Sequence, residues 1–567
     1  MMQIPDPIHG YISLSGMYAD IVNTPEFQRL RSVEQGSFRP VYPGARHDRF
    51  IHSLGTYHLA TKFVEHFFRN LEKDLNIALP ADTVQRLKTT FRYAALLHDI
   101  GHAPFSHTTE HFFLVEKVPG TRIPVIWDQL AQEIEKVCTL ENSGEFPWEY
   151  PLFHSPRGVK ADKPYIGSAH EIMSALILVD SHGRFLSSAE RKQVDLALAA
   201  RMVIGYTYSP EDPGLPEDAQ ILQELGVRNC LIQLLNCSVL DVDRLDYMVR
   251  DTQMSGYFNA PLDLERLAGS VTAVCDPNLP ENTLWLLPAY RDDALSVFDL
   301  MFQAKLSHDT WVLANPVGPY EAAIIDHCIR NLHPDYVKEV FCRKALSREG
   351  IFYNGKHYRL LSDVDVSADL KERANQGEAN YVELYTRENG VHRTAAWRSY
   401  FEYHHIFRFP TLKKDLDTPV QTLDGVYDFF KDLLKHLSAH QITIFDQAAV
   451  DHVLEHGNAG AKRAALFLKA YLQDIPTNKS AAEAFNVVLL DRTANFTLKI
   501  DPAQIYIVFY KSNLPLRDGK YNFSSYAELN DISQDFKRKN YFYLFRHGGL
   551  GSNQLPELRR RLIEELK

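Results

Sequence analysis

The chain has 567 residues, 45% hydrophobic and 23% charged, with a formal net charge of −11. That is core-forming material enough to fold without disulfides or a structural metal. The acidic balance argues against a nucleic-acid binder held mainly by counterion release, but not against an anionic substrate, because bound cations can dominate a local field.

The N-terminal MMQIPDPIHGYISL has neither the basic n-region nor the apolar h-region of a signal peptide. No stretch approaches about 18 uninterrupted apolar residues. A cytoplasmic protein without a membrane span is expected. The six cysteines are scattered, with no CxxC pair, and read as buried thiols in a reducing compartment. From about residue 20 to 330 apolar positions recur at i, i+3 and i+4, which predicts helices near 54–72, 83–99, 169–180, 188–205, 220–235, 238–251 and 292–308. Ser188, before AERKQVDLALAARMV, is a candidate N-cap. Residues 116–168 mix Pro, Gly and aromatics around one helix near 126–139 and read as an insertion. Loops of that length inside a domain are often functional. Beyond 330, IFYNGKHYRLL sets two short apolar runs about Asn-Gly, a hairpin signal. Helices are predicted at 424–439, 447–455 and 459–473, strands in FNVVLLD, FTLKI and QIYIVFY, and an amphipathic helix in the tail ELRRRLIEELK. The expected fold is mainly α: an all-helical core over 1–330 and a mixed α+β region over 331–567.

Three islands concentrate histidine and aspartate beyond what packing asks for. PGARHDRFIHSLGTYHLA holds His47, Asp48, Arg49 and His52; YAALLHDIGHAPFSHTTEHFF holds His98, Asp99, His102, His107, Glu110 and His111; LDVDRLDYMVRD holds Asp241, Asp243, Arg244, Asp246, Tyr247, Arg250 and Asp251. His98 and Asp99 close an apolar helix, where an unpartnered imidazole and carboxylate cost several kcal/mol in desolvation. A metal ion satisfies both. Gly101 and Pro104 break that helix, and His107 and Glu110, three apart, share one face of the helix expected next. In the third island Asp243, Tyr247 and Asp251 fall at i, i+4 and i+8. Asp246 and Arg250 have the Asp-to-Arg i, i+4 spacing of a charged solvent face. Any one island arises readily by chance.

Together, His52, His98–Asp99 and Asp243 resemble the H…HD…D pattern of the HD-domain metallophosphohydrolases. The longer shared text is similar to the deoxynucleoside triphosphate triphosphohydrolases, the family of bacterial dGTPases and animal SAM-and-HD-domain enzymes. It comprises DPIHG at 6–10, TPEFQRLRSVEQ at 24–35, PGARHDRFIHSLG at 43–55, HDIGHAPFSHTTE at 98–110, AHE at 169–171 and DVDRLDYMVRD at 241–251. It covers roughly residues 3–330, which the resemblance makes an HD-domain catalytic core.

The resemblance implies hydrolysis of a deoxynucleoside triphosphate to deoxynucleoside and inorganic tripolyphosphate, by metal-activated water attacking the α-phosphorus. His52, His98, Asp99 and Asp243 are the expected ligands of Fe, Mn or Zn, with Mg²⁺ accompanying the triphosphate. His107, steered by Glu110, is the expected general acid for the 5′-oxygen. His102 and His170 are expected to donate to phosphate, with Glu171 orienting or capping beside them. Arg49 and Arg244 are expected at phosphate. Gln35, Tyr247 and Asp251 are expected at the sugar. Homo-oligomerisation to a dimer or tetramer is implied by family analogy alone. Departures at Pro5, Asn23 and LSHDTWVLANPVG (306–318) argue against nucleotide-activated tetramerisation. One alternative is an HD phosphatase or phosphodiesterase for another nucleotide or phosphoester. Another is a nucleic-acid-binding or regulatory HD protein, raised by the basic and aromatic FKRKNYFYLFRHGG at 536–549. The acidic net charge favours reading that stretch as a strand with a solvated basic lead.

Overall fold

In a computed structural model, residues 1–376 are described apart from 37–41, 141–148, 216–217, 237–239, 257–261, 280–284, 309–311 and 314–316. Beyond them the described residues are chiefly helical ones between 421 and 472 and short segments between 488 and 546. The chain opens on a hairpin of β1 (Met2–Asp6) and β2 (Gly10–Leu14), with Asp6 opposite Gly10. Asp6 Oδ1 accepts the N–H groups of Ile8 and His9, each at 2.8 Å, closing the turn. The flanking prolines at 5 and 7 mask this hairpin in the sequence, since proline is tolerated only on an edge strand.

Helix α1 (Arg49–Leu75) starts where Asp48 accepts from the Ile51 N–H at 3.0 Å and stops at Asn76, whose φ is 53°. These are an N-cap and a left-handed C-cap. The other core helices are α2 (Ala81–Leu97), α3 (Val125–Leu140), α4 (Ala169–Asp180), α5 (Leu196–Ile204), α6 (Ala219–Leu235), α7 (Val242–Ser255), α8 (Leu264–Ser270), α9 (Leu295–His308) and α10 (Val317–Arg330). Helices α2, α7 and α8 pack on α1, as does strand β3 (Val271–Cys275). One continuous apolar core runs through these elements, from Ile12 to Tyr526.

The fold is mainly α, as expected, and most helix boundaries fall within a few residues of the periodicity. The helix expected over 188–205 is instead broken. A turn at Ser188–Arg191 precedes α5, which Asp195 caps by accepting from Leu198 N at 3.0 Å. The cap of the first piece is Ser187, not Ser188, because Glu190 reaches back to the Ser187 N–H at 2.9 Å. The insertion carries α3 and a short helix at Glu149–His154.

The Asn-Gly hairpin forms as read, with β5 (Ile351–Tyr353) and β6 (Lys356–Tyr358) about Asn354 and Gly355, whose φ values are 46° and 78°. After α11 (Asp363–Asn375), the described residues include α12 (Gln421–Ala439), α13 (Gln447–His456) and α14 (Ala459–Leu472). A four-stranded sheet joins strands from either side of residue 330. Its β3 pairs antiparallel with β4 (Leu286–Arg291), which pairs parallel with Tyr506–Phe509, which pairs antiparallel with Asn522–Ser525. Val488–Asp491 pairs antiparallel with Tyr543–Arg546, so part of the basic and aromatic stretch is strand. Most of FTLKI and nearly all of the C-terminal tail lie outside the described residues. No helix among the described residues is long and apolar enough to cross a membrane.

Candidate active site

The last turn of α2, Ala94 to Leu97, is wholly buried, so His98 and Asp99 leave the helix inside the protein. His98 Nδ1 lies 2.9 Å from the Ala95 carbonyl, an obligate acceptor, and so carries the proton. On α1, His52 Nδ1 likewise donates to Asp246 Oδ2 at 2.8 Å. As neutral imidazoles both rings therefore turn a bare Nε2 inward, and these two atoms lie 3.3 Å apart. Asp243 Oδ1, from the first turn of α7, is 2.9 Å from His52 Nε2 and 3.5 Å from His98 Nε2. Asp99 sets one oxygen 3.6 Å from His52 Nε2 and the other 3.4 Å from His98 Nε2.

Two nitrogens and two carboxylates thus face one small volume. Burial pulls the His52 pKa down, but hydrogen bonds to Asp243 and Asp246 and the charge of Asp99 overcome it and raise it to about 10. Burial and the two facing carboxylates contest His98 in the same way, and the carboxylates prevail. The pocket calls for positive charge at its centre. A divalent ion supplies that charge without protonating the rings, and this donor set suits Fe, Mn or Zn.

Behind the ligands stands a layer that the sequence reading misassigned. Asp246 and Arg250 were expected on a solvent face; both are fully buried. Arg250 clasps Asp246 at 2.8 and 2.9 Å and reaches Asp6 at 2.9 Å, and His9 meets Asp246 at 2.7 Å. The i, i+4 spacing is right, but the face points inward, where Asp246 orients the His52 ring. Carboxylate–histidine relays of this kind fix a ligand's tautomer and raise its basicity.

The second histidine group adjoins the first. His102 Nε2 lies 3.1 Å from Asp99 Oδ1, and its ring stacks on His170 at 4.0 Å and 15°. Burial, with the nearby Arg49 and His170, depresses the His102 pKa far enough to keep that ring neutral. The helix expected to carry His107 and Glu110 is instead two 3-10 turns, Ser106–Thr108 and Glu110–Leu114, entered through Phe105 and Ser106 at φ 59° and 51°. His107 Nδ1 still meets Glu110 Oε1 at 3.2 Å, on an exposed ring. The other Glu110 oxygen takes a closer bond from His170 Nδ1, so Glu110 serves two histidines rather than one. Burial opposes charge on His170, but Glu110 beside it lifts its pKa to about 9. Glu171 caps α4 at Ser168 and accepts from Asn236 Nδ2 at 3.0 Å, which accounts for it structurally.

Arg49 is almost wholly buried: it gives N–H bonds to Ser106 Oγ at 3.0 Å, Asp99 Oδ2 at 2.9 Å and the Gln35 carbonyl at 2.8 Å. Gln35 Oε1 is buried with no donor among the described residues. On α7, Tyr247 lies under Lys305 Nζ at 5.6 Å, and Arg244 sits 3.8 Å from Asp241. Asp251 meets His47 Nε2 at 2.7 Å and lies 3.5 Å from His308 Nε2. His47 stood in the first island without a role, while Lys305 and His308 gave no signal, since α9 reads as an ordinary amphipathic helix.

Residues 49–142 match the HD domain family, and that span holds His52, His98–Asp99, His102, His107 and Glu110. The chain therefore contains an HD domain. Over 417 residues it is 25% identical to the human deoxynucleoside triphosphate triphosphohydrolase SAMHD1, an alignment covering 72% of this chain and 55% of that protein. It is 42% identical to the Xenopus laevis protein of the same name over 110 residues, 19% of this chain and 16% of that one. A Bacillus subtilis relative, the uncharacterized protein YwfO, is 35% identical over 141 residues, 23% of this chain and 29% of that one. The chain thus spans about half the length of the human relative and less of the others.

Proposed function

We propose that the chain is a metal-dependent nucleotide phosphohydrolase that cleaves deoxynucleoside triphosphates to deoxynucleoside and inorganic tripolyphosphate. The observation that carries the reading is the pairing of His52 and His98: each Nδ1 proton is spent on a fixed acceptor, leaving two bare Nε2 atoms among the Asp99 and Asp243 carboxylates. That is a preformed cation site whose two histidines and Asp99 lie within the HD-domain match and which Asp243 completes from α7. When bound there, a divalent ion supplies Lewis-acid charge for phosphate and makes a water nucleophile available near neutral pH.

The chain's own groups do the rest. His107, on the rim of the site and held by Glu110, delivers a proton to the departing 5′-oxygen. His170, kept cationic by Glu110, donates to the α-phosphate, and neutral His102, whose Nε2 faces Asp99, donates there through Nδ1 in the tautomer that leaves Nε2 bare. Arg49 is mostly engaged with Asp99, Ser106 and Gln35, so its main part is to hold the Asp99 carboxylate, with its remaining N–H directions toward phosphate. Arg244 is the more open phosphate contact. Tyr247, Asp251 and the donor-seeking Gln35 oxygen form the sugar end of the pocket. The relatives' names support the substrate class. The proposed organisation is an HD catalytic core over 1–330 and a C-terminal region over 331–567, acting as a homo-oligomer in the cytoplasm.

The test loads the purified chain with Mn, Fe or Mg and offers separate dNTPs, NTPs, monophosphates and cyclic dinucleotides, with products resolved chromatographically. Intact tripolyphosphate from dNTPs is expected, and its loss in His98→Ala and Asp99→Ala. Inorganic phosphate or a monoester product would transfer the site to the phosphatase or phosphodiesterase reading. Activity surviving both substitutions would sink the mechanism. His107→Ala should lower kcat by about 10²–10⁴-fold while leaving KM little changed.

A further inference from the structure

Among the described residues, three histidine-containing groups bring their ligand atoms within 4.8 Å of one another, and two of them belong to the site above. The third is remote in sequence and has no part in the proposed hydrolysis: His436 near the end of α12, His440 just past it, and His452 on α13. Two pairs stand at i, i+4, His436 with His440 and His452 with His456, so each helix turns two imidazoles to one side. The rings of all four form a chain of neighbours: 4.2 Å between centroids for His436–His440, 4.7 Å for His440–His452, 5.3 Å for His436–His452 and 4.8 Å for His452–His456.

The nitrogen positions say more than the clustering. His440 Nδ1 donates to the His436 carbonyl at 2.8 Å, which fixes that proton and leaves Nε2 bare, the arrangement that orients a metal ligand. His436 Nε2 and His452 Nδ1 lie 3.2 Å apart. Two nitrogens each about 2.0–2.1 Å from one tetrahedral zinc lie roughly 3.3–3.4 Å apart. We propose that His436, His440 and His452, with His456 or water as a fourth ligand, bind a zinc-class divalent cation that clips α12 to α13. An all-imidazole set selects Zn²⁺, Ni²⁺ or Cu²⁺ and rejects Mg²⁺ and Ca²⁺, which require oxygen ligands. His436 and His452 are half-buried and His440 is exposed, so the ion enters from solvent. The site is structural: it clips α12 to α13 and lies outside the proposed HD ligand set, so it is independent of the proposed hydrolysis.

The test uses the full chain, stripped with chelator, reloaded with Zn²⁺ or Co²⁺ and desalted, with metal counted per chain by mass spectrometry. In a His98→Ala background, which removes an HD ligand, one equivalent should remain, and the Co²⁺ form should show the intense visible bands of a tetrahedral site. Adding His436→Gln and His452→Gln should abolish that equivalent and those bands, and His440→Gln alone should weaken binding by at least tenfold. In the chain with an unaltered HD site, the double substitution should leave nucleotide hydrolysis unchanged. An unchanged metal count in the folded double variant, judged by circular dichroism, would overturn the proposal. So would octahedral Co²⁺ bands, or binding only at millimolar metal. If the substituted chain fails to fold, the His440→Gln titration decides alone, since that exposed ring packs no core.

Discussion

Asp246 supports the proposed cation site from behind, holding the His52 ring rather than facing the cluster itself. It is fully buried and takes hydrogen bonds from His52, His9 and Arg250, which together hold its pKa well below the usual carboxylate range against the cost of burial. Asp246→Asn keeps the shape but removes the charge that makes His52 a strong donor, so Mn²⁺ affinity measured calorimetrically should fall about 10–100-fold. Asp246→Ala also removes the acceptor of His52, His9 and two Arg250 N–H groups, leaving Arg250 its bond to Asp6, and should destabilise the chain by about 1–3 kcal/mol or more. Unchanged affinity in a folded Asp246→Asn protein would reduce Asp246 to a packing role. Legibility was uneven at this scale. The convergence of His52, His98, Asp99 and Asp243 was readable because His98 and Asp99 close an apolar run and the four fall in a family's order. Asp246 was misread because a buried Asp–Arg pair and a solvated one have the same i, i+4 spacing, and only the packing of α7 against α1 tells them apart.

Among the elements, the turn after α2 and the backbone of α4 approach too closely for any side chain. A Cβ on Gly101 would lie 2.3 Å from Ser174 N and 2.6 Å from Met173 C, while the Gly101 N–H donates to Ser174 Oγ at 2.9 Å. This contact sets α4, and with it His170 at its first turn, against His102. Gly101→Ala has no flexible neighbour to displace, so it should cost about 1–3 kcal/mol or more, seen as a lowered Tm, and should separate the stacked rings. Gly183→Ala, whose Cβ would meet nothing within 4 Å, is the control and should be neutral or slightly stabilising. Equal shifts for the two would refute the close-approach argument. Elements of sustained apolar spacing were legible: α4 and α6 match their expected spans to about a residue and α2 to about two, while α1 begins about five residues before its expected start and ends about three after its expected end. Where short-range capping competes with period, the reading failed. Asp195 cut one expected helix in two, and the turns around His107 replaced a helix because Phe105 and Ser106 enter them in the left-handed region.

Over the whole molecule, Asp363 is one of the groups that tie the segment after residue 330 to the candidate site, beside contacts such as Phe341 on Phe112. Asp363, at the start of α11, accepts the Phe105 N–H at 2.7 Å and the Glu34 N–H at 2.9 Å. One of those amides begins the turn to His107, and the other lies next to Gln35. Burial pushes the Asp363 pKa up to about 7, although the two amide bonds and Arg29 pull against it and Glu34 adds to the rise. A carboxyl whose folded pKa exceeds its unfolded value of about 3.9 binds its proton more tightly when folded. Its contribution is therefore fully present below about pH 4 and is lost as pH rises toward 7, by about 1.4 kcal/mol per pH unit between the two values. Asp363→Asn removes that titration. It should also lower Tm at acid pH, because one amide oxygen replaces a carboxyl that meets two N–H groups. The difference in Tm between the wild type and Asp363→Asn should then shrink steadily from pH 4.5 to 7, since only the wild type carries the losing term. A difference that stays constant across that range would mean that Asp363 is ionised throughout, and that the amides of Glu34 and Phe105 outweigh its burial.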